Sequence, residues 1–192
     1  MRKKLRELKK CMVFLLEEAK KNGLTNIAKQ TIHNIALISN LEKNASVSGE
    51  DVKEILQFYA KNPPFALFMA DVKGLRQINN QYGRKYGDLL IASAQEFLQY
   101  SFRSYSSSRP SDVVLRYGEK ADEFLAIAES TNERQARIIQ ARLNHNISNW
   151  IIQPLNIPLN LHVGYSIYNP EMTIEHLLEN ADREMRKNKG KL

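Results

Sequence analysis

The stretch RPSDVVLRYGEKADEF, residues 109–124, carries two adjacent carboxylates, Asp122 and Glu123, directly after a polar turn and at the head of an apolar run. A third, Asp71, stands near the end of another short apolar run, PFALFMADV. Carboxylates at strand ends suit magnesium, a hard cation usually held by one or two carboxylates together with the phosphate oxygens of a substrate. Two of them brought to neighbouring strand ends could cage such an ion. Acidic residues flank strands in many proteins, so spacing alone leaves a purely structural role open.

The elements that must position these groups are legible as changes of period. Leu5, Leu8, Met12, Leu15 and Ala19 recur at three-and-four spacing and predict a first helix, which Asn22-Gly23 ends. A second helix is expected from Thr25 to Lys43, with Ile27, Ala28, Ile32 and Ile35 on its apolar face. The polar NASVSGED marks a boundary, and Ser48 is placed to cap a third helix that Pro63-Pro64 terminates. Residues 1–44 therefore form an N-terminal helical extension, and residues 45–192 a domain.

Within that domain the order is strand (PFALFMADV), one long helix from Gly74 to Phe102, a Ser-rich loop, and two antiparallel strands (DVVLRYG and DEFLAIAES). A helix from Asn132 to Trp150, a strand (LNLHVGYSIY) and a last helix capped by Thr173 follow. This βαββαβ order with a final helix is the α+β, ferredoxin-like arrangement. It predicts that the first and third strands lie side by side, which brings Asp71 to Asp122 and Glu123. It also predicts a sheet covered by helices on one face, with the other face or the strand ends free for ligands.

Composition narrows the function. With 43% apolar and 26% charged residues the chain is expected to fold, and its single cysteine excludes an internal disulfide and fits a reducing cytoplasm. No apolar stretch approaches the roughly 20 residues of a membrane span. The net charge of +7 points to an acidic partner, and both ends are basic: eight Lys/Arg against three Glu in residues 1–22, five against one in residues 183–192. Nucleic acid is disfavoured among such partners because no aromatic stacking residues are evident on the sheet strands. The four histidines, His33, His145, His162 and His176, lack metal-ligand spacing.

The segment DVKGLRQINNQYGRKYGD resembles the opening motif of the GGDEF family, the diguanylate cyclases that join two GTP molecules into cyclic di-GMP. That motif typically runs D-x-D-x-F-K-x-I-N-D-x-x-G-H-x-x-G-D, and Asp71, Ile78, Asn79, Gly83, Gly87 and Asp88 match it. RYGEKADEF is similar to the central R-x-G-G-D-E-F, and LLENADREMRKNKGK to the closing motif. The resemblance implies Asp71 and Asp122 as metal carboxylates with Glu123, the catalytic carboxylate, beside them. It further implies Asn79 and Asp88 as readers of the guanine edge, and Arg76 and Lys189 as phosphate-binding cations. Magnesium would arrive with a nucleoside triphosphate. Arg109 and Asp112 are similar to the R-x-x-D pair by which many members bind cyclic di-GMP as an inhibitor. Since each active site of the family is built between two subunits, a homodimer or a helical partner on the N-terminal extension is implied as well.

The departures point away from turnover. Lys73 replaces an acidic residue of the opening motif, Arg84 a histidine, and Glu119, Lys120 and Ala121 stand between Gly118 and Asp122 where one glycine is usual. A glycine pair allows close backbone approach by a ligand, and a misplacement of about 1 Å can cost about 100-fold in rate. The expectation is a degenerate member acting as a receptor for cyclic di-GMP or GTP, or as a scaffold. The alternatives are an active diguanylate cyclase and, more remotely, an RNA-binding ferredoxin-like module.

Overall fold

The computed structural model describes residues 2–41, 47–102, 112–118 and 122–189. Helices α1 (Arg2–Lys21) and α2 (Thr25–Leu41) form a hairpin, followed by α3 (Gly49–Ala60). Ser48 caps α3 as its sequence suggests, its hydroxyl accepting from the Asp51 amide at 3.1 Å. Strand β1 (Phe65–Val72) leads to α4 (Leu75–Tyr82) and α5 (Arg84–Ser101), and β2 (Val113–Tyr117) and β3 (Glu123–Glu129) lead to α6 (Glu133–Ile147). A short hairpin, β4 (Ile151–Ile152) and β5 (Ile157–Pro158), precedes β6 (Leu161–Ile167) and α7 (Ile174–Lys189).

The expected single helix from Gly74 to Phe102 is two helices. Gly83, at φ 90°, lies outside helical backbone space and breaks the run between Tyr82 and Arg84. The β4–β5 hairpin is absent from the expected order, because two-residue strands carry no alternation to detect. The other expected cap holds, the Thr173 hydroxyl accepting from the His176 amide at 3.2 Å, and on α6 Asn132 and Gln135 form a reciprocal capping box.

The main sheet has the strand order β2-β3-β1-β6, with every neighbouring pair antiparallel, so the first and third strands of the domain are adjacent as expected. Alternation along β1 feeds two cores. Phe65, Leu67 and Met69 join Leu16 and Ala19 of α1, Ala28, Ile32 and Ile35 of α2, the apolar face of α3, and Leu177, Ala181 and Met185 of α7. Ala66, Phe68 and Ala70 face Leu90, Ala94, Phe97 and Leu98 of α5 and Ala136 and Leu143 of α6. Both faces of the sheet are therefore covered, so of the two places expected to stay free, the second face or the strand ends, it is the strand ends that do. The cover also removes the platform on which a ferredoxin-like RNA module would stack bases. Only the strand ends remain for chemistry.

The stripe on α1 is rotated from its expected position. Leu16 and Ala19 are buried with Met12 and Val13 packed beside them, while Leu8 and Leu15 are 44% and 47% exposed. The Leu5 side chain lies outside those described. On α2, Ala28, Ile32 and Ile35 are buried as expected, whereas Ile27 is exposed. The extension is also tied electrostatically to the sheet, since Lys29 of α2 pairs with Glu129, a buried carboxylate at the end of β3. Removing one partner of a buried pair leaves a desolvated charge behind. Lys29→Met is expected to cost about 2 kcal/mol in denaturant unfolding, less than a fully buried pair would because Lys29 is partly solvated.

Candidate functional site

The ladder itself assembles the acidic cluster. Asp71 at the end of β1 lies directly opposite Glu123 on β3 and opposite His162 on β6. Asp122 precedes Glu123 at the mouth of the same strand and is half-buried. The fourth member comes from the far end of the sequence: the Lys189 ammonium, on the last turn of α7, lies 3.0 Å from Asp71 Oδ2. Lys189 reaches this point because α7 lies hard against β6 over Gly164, where a β-carbon would come within 2.1 Å of the Met185 amide nitrogen.

The fields at the cluster follow from its contents. Burial pushes the Glu123 carboxyl above its ordinary range, and the nearby Asp71, Asp122 and Asp182 charges push it further against the opposing pull of Lys189. His162 is held below its ordinary range, first by burial, with Lys73 and Lys189 adding to the effect and Asp71 opposing it. Because the folded chain holds the Glu123 proton more tightly than the unfolded chain, ionising it costs stability as pH rises through and above the ordinary carboxylate range. Glu123→Gln is therefore expected to raise the melting temperature at about pH 7, with the gain shrinking towards about pH 4. Thermal unfolding of both chains at the two pH values checks this.

The proposed guanine readers are also close in the chain's geometry. Asn79 on α4 lies over Gly87 on α5 so tightly that a β-carbon at Gly87 would fall 2.0 Å from Asn79 Oδ1. Asp88 follows Gly87 and is half-buried. Arg116 of β2, buried on the α5 side of the sheet, connects this group with the acidic cluster. Burial pushes its guanidinium down while Asp88 and Asp122 hold it up. Arg76 stands apart, exposed in a shallow groove on α4 beside Gly74, Gln77 and Asn80.

Asp112 lies elsewhere. It precedes Val113, which pairs with Ile127, whereas Tyr117 at the other end of β2 pairs with Glu123. Five strand residues, roughly 17 Å, thus separate Asp112 from the acidic end of the sheet. Asp112 is buried, and with Glu129 it helps burial to hold the Tyr59 hydroxyl protonated far above neutral pH. Arg109 lies outside the described residues, as do Glu119, Lys120 and Ala121.

Three residues at the cluster carry no site role in the sequence reading. Arg116 and Asp182 lie inside stretches matched to the central and closing motifs, where their identity was visible and their orientation was not. Asp182 accepts from Arg186 at 2.9 Å and faces Glu123. His162 gave no signal, because its place opposite Asp71 depends on the register of β6.

Asp71, Asp122 and Glu123 offer the hard oxygen donors that magnesium prefers. They do not fit a resident divalent ion as arranged. Among the described residues no group of three or more His, Cys, Asp or Glu converges to hold a metal, and Asp71 is already bonded to an ammonium. A cleft of about 620 Å³ lies between α6, β6 and α7, and its Gln140 and Asn188 amides donate to the Val163 carbonyl at 3.1 and 2.8 Å. Those bonds cap the open edge of the sheet.

A family model described as "Diguanylate cyclase, GGDEF domain" matches residues 50–191, and the chain belongs to this family. It is 27% identical over 188 residues to the cyclic di-GMP phosphodiesterase NbdA of Pseudomonas aeruginosa, covering 97% of this chain and 21% of NbdA. It is 24% identical over 136 residues to the diguanylate cyclase DosC of Escherichia coli, covering 69% of this chain and 28% of DosC. The chain thus spans less than a third of either relative. Among solved structures, the diguanylate cyclase SiaD of Pseudomonas aeruginosa, in complex with its activator SiaC, superposes with a TM-score of 0.66 at 19% identity. That match covers 98% of this chain, N-terminal helices included, and 70% of SiaD. The GGDEF domain of DgcB from Caulobacter crescentus, in complex with cyclic di-GMP, gives 0.62 at 14% identity over 79% of this chain and 90% of that one. No helix among the described residues is long and apolar enough to cross a membrane.

Proposed function

We propose that this chain is a degenerate GGDEF domain that serves cyclic di-GMP signalling by holding a guanine nucleotide without converting it. The observation that carries the reading is the replacement of the second signature glycine by Glu119-Lys120-Ala121, between Gly118 and Asp122. Gly118 keeps a φ of 86°, and a β-carbon there would lie 3.2 Å from Glu123 Oε2, so the carboxylate packs back against the turn. Two charged residues added between Gly118 and Asp122 are expected to hinder substrate phosphates there, while Asn79 and Asp88 remain near one another to read a base.

Two ligands fit the retained groups: cyclic di-GMP at Arg109 and Asp112, and GTP at Asn79 and Asp88, with Arg76 and Lys189 for phosphate and magnesium arriving only with the triphosphate. Isothermal titration with each nucleotide separates them. Loss of cyclic di-GMP binding in Arg109→Ala assigns the first site, and loss of GTP binding in Asn79→Ala the second. No heat from either nucleotide at tens of micromolar rejects the receptor and leaves the scaffold.

The signal would leave through the extension. Leu8, Phe14 and Leu15 of α1, Leu24 of the turn and Ile27 of α2 are 44–61% exposed, apolar side chains suited to a second copy of this chain or to a helical partner protein. The double substitution Phe14→Glu, Leu15→Glu is expected to abolish self-association in sedimentation experiments while leaving the melting temperature unchanged.

A further inference from the structure

The acidic cluster contains an arrangement that the catalytic motif does not account for. A divalent cation here would rest on one or two carboxylates together with a ligand's phosphate oxygens, yet Asp71, the carboxylate at the centre, bonds Lys189 at 3.0 Å. Asp71 is also the group shared by the other strands, facing Glu123 on one side and His162 on the other. Its ion pair is partly solvated, with the Asp71 side chain 19% and the Lys189 side chain 38% exposed. The next acidic position of the opening motif carries Lys73, a second cation near His162. Arg186 lies one turn before Lys189 on α7, and its charge is held by Asp182 at 2.8 Å, with Glu123 and Asp71 adding to the hold.

We propose that the Lys189 ammonium is the resident cation of this site: it occupies the coordination position on Asp71 that a divalent ion would need, so the cluster is charge-balanced without metal. A divalent ion can enter only by displacing Lys189 and by facing the repulsion of Lys73 and Arg186. The inference concerns cation choice and stands independently of which nucleotide binds or whether any is turned over.

The test needs no nucleotide and no activity. Binding of Mn2+ to the full chain is measured by electron paramagnetic resonance of the free ion, for the unaltered chain and for Lys189→Gln, Lys187→Gln and Asp71→Asn. Removing a positive charge a few ångströms from a divalent ion is expected to tighten Mn2+ binding in Lys189→Gln by about ten-fold or more. Lys187, which pairs with Glu184, controls for general loss of charge, and its variant is expected to stay within about two-fold of the unaltered chain. Adding Asp71→Asn to Lys189→Gln is expected to erase the gain. Lys189→Met, which keeps the aliphatic stem, repeats the measurement should the glutamine variant lose its helical circular dichroism. Binding by both Lys189 variants within about two-fold of the unaltered chain overturns the proposal, as does a gain that survives Asp71→Asn.

Discussion

Gly164→Ala is expected to destabilise the fold by about 3 kcal/mol or more, and Gly164→Val to prevent stable folding. The reason is the distance between β6 and α7. A β-carbon at Gly164 would meet the Met185 amide nitrogen at 2.1 Å, the Glu184 carbonyl carbon at 2.6 Å and the Ala181 carbonyl oxygen at 2.7 Å. All three atoms are helix backbone, so no rotamer change relieves the contact and α7 must move as a body. Moving it opens the core at Leu177, Ala181 and Met185 and withdraws Lys189 from Asp71. Urea unfolding of Gly164→Ala checks the magnitude. A loss under about 0.5 kcal/mol would show that α7 does not depend on this close approach.

Gly87→Ala is expected to behave in the opposite way, sparing stability while damaging recognition. Here the added methyl would meet a side chain, Asn79, whose Oδ1 lies 2.0 Å and Cγ 2.8 Å from the new atom. Asn79 can rotate away at little cost, and alanine suits a helix better than glycine does. The rotation takes Asn79 out of the position from which it would meet a guanine edge beside Asp88. Loss of one base-reading side chain is worth about 1–3 kcal/mol, so GTP affinity should fall about 5- to 150-fold with the melting temperature nearly unchanged. Titration calorimetry and thermal unfolding of the same variant check both halves.

These two glycines show what the sequence conveyed and where it stopped. Most of the strand and helix order, the caps at Ser48 and Thr173, and the adjacency of Asp71 and Glu123 follow from local pattern and from the ferredoxin-like order. What depends on how elements dock was hidden. The stripe on α1 is ambiguous because Met12 and Ala19 belong to two overlapping helical rows, and only packing against α2 selects Leu16 over Leu15. The break at Gly83 is a backbone choice that an amphipathic run conceals. The Lys189–Asp71 pair spans 118 residues of sequence and exists because α7 sits on Gly164. Cover on both sheet faces likewise required knowing that α1, α2 and α3 fold onto the domain's core instead of standing apart from it.

With the altered signature, the domain is expected to hold nucleotide without cyclising it. Equilibrium dialysis of the full chain against isotopically labelled GTP, unlabelled cyclic di-GMP and magnesium, followed by chromatography of both chambers, tests it most directly. One of the two nucleotides is expected to be retained on the protein side at tens of micromolar, with all label staying in GTP. Label appearing in cyclic di-GMP, and disappearing again in Asp122→Ala, would contradict it and make the chain a working cyclase.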